Sequence, residues 1–105
     1  MRFADFDGPL AAEIRQQMAA SYFAECKKMV GTLRALRNFD RMHTAAALTP
    51  EQITRRSELV EEASERVHFV VIQREALQLS GGEQFFQDHK IPDEVRMRLR
   101  PKRQK

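Results

Sequence analysis

Apolar residues return every three or four positions through the first third of the chain. Tyr22, Cys26, Met29, Leu33 and Leu36 are spaced 4, 3, 4, 3, and Ala19 and Val30 extend the row. At about 100° per residue these side chains share one helical face, with Lys27, Lys28 and Arg34 outside it. The pattern predicts a helix over residues 9–40, opened by Pro9 with Asp7 as its cap. Gly31 lies off the apolar face, where glycine costs about 1 kcal/mol relative to alanine. A close approach of another helix is the expected reason for it.

The stretch "RMHTAAAL" reads as a connection, and "TPEQ" opens a second helix. Thr49 is an N-cap, Pro50 fills the first helical position and Gln52 completes a capping box. The helix is predicted over residues 50–79, with a stripe of Ile53, Val60, Ala63, Val67, Val71 and Leu77. "SGG" ends it, through a left-handed Gly81 or Gly82. Two long helices on a short link lie antiparallel. A turn at residues 44–45 sets Met29 level with Val60, and Tyr22 level with Val67.

Two short helices follow, over about 83–89 and 92–99. Phe85 and Phe86 anchor the first. The second starts at Pro92, has Asp93 and Glu94 at its positive end, and presents Ile91, Val95 and Leu99 on one side. No strand pattern or internal repeat appears. The fold class is all-α: a long antiparallel hairpin plus two short C-terminal helices.

The hairpin alone leaves a problem at "VHFVVI", residues 67–72. If Val60, Val67 and Val71 face the first helix, Phe69 and Ile72 point nearly the opposite way. A helix that is apolar all round is covered all round. The cover is either the C-terminal segment or a second copy. The second copy is the preferred reading and makes a four-helix bundle as a homodimer.

Composition narrows the class. Of 105 residues 42% are hydrophobic and 31% charged, as in a folded, helix-rich domain. No apolar run is long enough to span a membrane, and the acidic start "MRFADFDGPL" does not resemble a signal peptide, so the expected location is the cytoplasm. Cys26 is the only cysteine, which excludes an internal disulfide and a Cys-x-x-Cys pair. The net charge of +3 is an average over unlike parts. The last ten residues hold six of the 18 basic side chains (Arg96, Arg98, Arg100, Lys102, Arg103, Lys105) and no acid, leaving 12 basic against 15 acidic elsewhere. Any phosphate binding argued from pI therefore falls on this basic C-terminus, with residues 101–105 as a tail. No aromatic is interleaved there, so a solubilising terminus is preferred over nucleic-acid contact.

One spacing suggests metal chemistry. Glu65 and His68 form a Glu-x-x-His pair, as in di-metal carboxylate bundles, and Glu25 is level with Glu65 in the expected hairpin. A dimer supplies the second set. The angles oppose it: Glu65 lies roughly 160° and His68 roughly 100° from the centre of the apolar stripe. Glu65 then continues the solvated face of Glu58, Glu61 and Glu62, and no metal or other cofactor is expected. Arg74 falls on the apolar face, where a charge needs a partner. It is either a ligand-binding arginine for a carboxylate or phosphate or, as preferred, a structural residue with Glu75, in a salt bridge to an acid from the first helix, a C-terminal piece or a partner chain; Glu13 is close in depth but on a different face. Cys26 reads as a core residue, because no activating group is aimed at it.

Residues 69–101, from Gln73-Arg74-Glu75 through Ile91-Pro92-Asp93-Glu94-Val95, resemble a small uncharacterised bacterial helical family, a domain of unknown function. The resemblance implies a fold and no activity, and an aromatic near His68 rather than a ligand. The expected function is that of a non-enzymatic protein-interaction or regulatory module, its partner a second copy or another protein. Nucleic-acid binding through the C-terminus and metal binding at Glu65 and His68 are the alternatives.

Overall fold

The computed structural model describes residues 8–43 and 47–99. The expected cap Asp7, the turn at residues 44–45 and the basic residues Arg100, Lys102, Arg103 and Lys105 lie outside them. Four helices follow in order: α1 Gly8–Met42, α2 Pro50–Ala76, α3 Gly82–Asp88 and α4 Asp93–Arg98. The described residues contain no strand, and the chain is all-α. α1 and α2 form the hairpin, and α4 packs on α2.

The start of α2 follows its sequence signals. Thr49 Oγ1 accepts from the Gln52 amide at 3.1 Å, and Gln52 Oε1 accepts from the Thr49 amide at 2.9 Å, with Pro50 in the first turn. Its end does not. α2 stops at Ala76 rather than Leu79, and the left-handed residue is Gln78 (φ 60°) rather than a glycine. The Leu79 amide donates to Arg74 O at 2.9 Å and the Gln78 amide to Glu75 O at 3.0 Å, a Schellman closure. The same closure ends α3, with Lys90 left-handed (φ 52°), Ile91 N donating to Phe86 O at 3.1 Å and Lys90 N to Gln87 O at 3.0 Å. Gly81 is left-handed too (φ 77°), but it precedes α3 as its N-cap. Pro92 likewise caps α4 from an extended conformation instead of opening it.

The core joins all four elements. Met29, Leu33 and Leu36 from α1 meet Leu59, Val60, Ala63, Val67 and Val70 from α2, closed by Phe85, Ile91 and Val95. Tyr22, Cys26, Val30 and Val71 pack half-buried on its edge. Three stripe assignments change. Ile53 is 57% exposed, while Leu59 and Val70, outside the expected stripe, are buried. The buried face of α2 is wider than one stripe because it meets both α1 and α4. No helix approaches Gly31: a Cβ built there meets nothing within 4 Å.

The hairpin register also differs from the expected one. Tyr22 bonds to Arg74 and Ser21 to Gln73, five or more residues beyond the positions expected opposite them. Asp40 pairs with Arg56, seven residues beyond its expected level, whereas Glu25 meets Arg66 only two residues beyond its own. α1 runs on to Met42, past the expected end at residue 40, and the pairing is shifted along α2 by up to about two helical turns. The molecule is long, 59 × 32 × 22 Å.

Candidate interaction surfaces

The Glu-x-x-His pair lies on the outside of α2. Glu65 and His68 are both exposed, and Glu25 is half-buried. Its Oε1 is buried without a hydrogen bond, but Arg66 Nη1 stands 3.5 Å away and Lys28 Nζ is 3.6 Å from Oε2. Glu25 thus has two cations beside it, and the hairpin does not bring it to Glu65 and His68. No cluster of three or more metal-ligating side chains occurs among the described residues.

Arg74 is satisfied without the acid that its position suggests. Its guanidinium donates to Tyr22 Oη at 3.1 Å and to the Ser80 carbonyl, and stands 4.7 Å from the centroid of the Phe85 ring. Burial pushes the Tyr22 phenol above its ordinary pKa, with the Arg74 hydrogen bond opposing that rise. These contacts tie α1, the end of α2 and α3 together. Glu75 beside it is exposed. Next along α2, Gln73 borders a space of about 80 Å³ lined by Met18, Ser21, Ala76 and Leu77.

The main polar junction is one that sequence reading missed. Arg56 makes two bidentate pairs, to Asp40 at 2.7 and 2.9 Å and to Glu94 at 2.8 and 2.9 Å. It joins the end of α1, the start of α2 and the start of α4. The Arg56 hydrogen bonds hold the Asp40 and Glu94 carboxyls below their ordinary values and raise that of Arg56. The only sequence signal was Arg56 and Asp40 flanking the turn, and it needed the correct register.

Two residues of the basic C-terminus are internally paired. Arg96 grips Glu83 at 2.9 Å through both terminal nitrogens and stacks over Phe86 at 4.3 Å, and Arg98 meets Glu61 at 2.6 Å. The Arg96 pair lowers the Glu83 carboxyl and raises the guanidinium. Both arginines fasten α4 to its neighbours.

The apolar outer face of α2 stays open. Phe69 is 43% and Ile72 46% exposed, so α3 and α4 do not cover them. No helix among the described residues is long and apolar enough to cross a membrane. No family model matches the chain, and no curated protein or solved structure matches it.

Proposed function

We propose that the protein is a non-enzymatic helical interaction module that acts as a homodimer, with the outer face of α2 at the two-fold axis. The observation that carries this reading is the exposure of Phe69 and Ile72 after the chain's own C-terminal helices have packed against α2. Exposed residues flank them: His68 and Glu75 are seven positions apart and share one side of the helix. An antiparallel, isologous crossing centred between positions 71 and 72 sets His68 of each copy opposite Glu75 of the other. It covers both apolar side chains and adds an attractive contact at each flank. The two hairpins then form a four-helix arrangement.

Sedimentation equilibrium tests this. The wild-type chain is expected to be a dimer at micromolar concentration, and Ile72→Asp a monomer with an unchanged far-UV spectrum. A wild-type chain that stays monomeric at 100-fold higher concentration rules the reading out.

A further inference from the structure

The arginines of α2 and α4 all have partners. Arg55, Arg56, Arg66, Arg96 and Arg98 meet carboxylates, and Arg74 meets a phenol, a carbonyl and a ring. The second half of α1 is different. Lys27, Arg34 and Arg37 are exposed and form no ion pair among the described residues, and Arg41 reaches only the neutral Asn38 amide. These four cations lie within an arc of about 80° and span about 21 Å of helix. Like charges three and four positions apart repel each other. The negative end of α1 accounts for Arg41 in the last turn, but its influence fades before Arg37 and Arg34.

We infer that this face of α1 is a binding surface for the phosphate backbone of nucleic acid, independent of sequence. Arg34, Arg37, Asn38 and Arg41 line a shallow depression of about 520 Å³ that seats a phosphate. Asp40 also borders it, but both its oxygens are engaged by Arg56. One strand of a duplex carries a charge about every 3.4 Å, so about 21 Å of backbone offers enough phosphates for all four cations. Between Lys27 and Arg41 the only apolar side chain on this arc is the half-buried Val30, and one turn before Lys27 the arc carries Phe23, 68% exposed. One exposed ring at the edge of the cations is not the continuous apolar face by which a membrane-surface helix inserts. All four cations belong to α1 and none to α2, so this surface is distinct from the one proposed for dimerisation and stands without it.

The experiment measures binding of the full chain to a 20-base-pair mixed-sequence DNA duplex against salt concentration. The wild type is expected to show log K falling with log salt at a slope of about −3 to −4. The triple variant Arg34→Gln, Arg37→Gln, Arg41→Gln is expected to lose two to three units of that slope, and the corresponding Arg→Lys triple to keep it. Deleting residues 101–105 is expected to leave the α1 contribution in place. Circular dichroism confirms that each variant is folded, and sedimentation of the same samples reads dimerisation separately. The inference is overturned by no binding at 50 mM salt, by binding that ignores the glutamine triple and disappears with the tail, or by equal affinity for polyglutamate or phosphatidylserine vesicles.

Discussion

Gly31 carries the ordinary cost of glycine inside a helix without any packing return. A Cβ there meets open space, and the backbone is helical. Gly31→Ala is expected to stabilise the protein by about 1 kcal/mol, read as a rise of about 4–8 °C in the melting temperature. Gln78 and Lys90 present the opposite case, since both hold left-handed backbone at helix ends where glycine is the unstrained residue. Gln78→Gly is expected to gain about 0.5–1 kcal/mol, measured as a higher urea midpoint with an unchanged slope. A substitution to valine at the same site is expected to lose more than that, because a β-branched side chain tolerates positive φ poorly.

At the scale of elements, Arg56 decides how three helix ends meet. Isolated surface ion pairs contribute little, but this one is bidentate twice over and its arginine is partly covered, with 28% of the side chain exposed. Asp40 and Glu94 remain about half exposed, so Arg56→Gln is expected to cost only about 1–2 kcal/mol. The carboxyls of Asp40 and Glu94 are depressed in the folded state. Their contribution is therefore present above the unfolded values near pH 4 and is lost as pH falls through the lower folded ones. Denaturation midpoints of wild type and R56Q are expected to differ at pH 7 and to converge as pH falls below about 4. Both partners of Arg56 were visible in the sequence as single charges. Their meeting was not, because it depends on the register of the hairpin, which sets Asp40 seven residues further along α2 than the expected turn would. Periodicity alone did place Met29, Leu33, Leu36, Val60, Ala63 and Val67 in the core. It missed Leu59 and Val70 because α4 adds a second packing direction, and it misplaced the left-handed residue because adjacent glycines were the stronger local signal.

Across the whole molecule, burial is uneven along the hairpin. The fully buried large side chains belong to residues 29–36 of α1, to Val67 and Val70 of α2, and to Val95 of α4. In the first half of α1, Ala11 is the one buried side chain, Tyr22 and Cys26 are half-buried, and Leu10 and Phe23 are each 68% exposed. Met18 is already level with Ala76 and Leu77, so the first turns of α1 extend past the end of α2. A helical segment with so few buried side chains draws less stability from packing, which is where most helical stability in proteins arises. Local opening should therefore begin at this end and spread toward the turn. Native-state hydrogen exchange reads the gradient directly. Amides of Leu33 to Arg37 are expected to exchange only through global unfolding, with protection that follows the urea-derived stability. Amides of residues 12–20 are expected to exchange by a lower-energy, largely urea-insensitive route. Equal protection along all of α1 would show that the helix opens as one unit, with its exposed end as firmly held as its core.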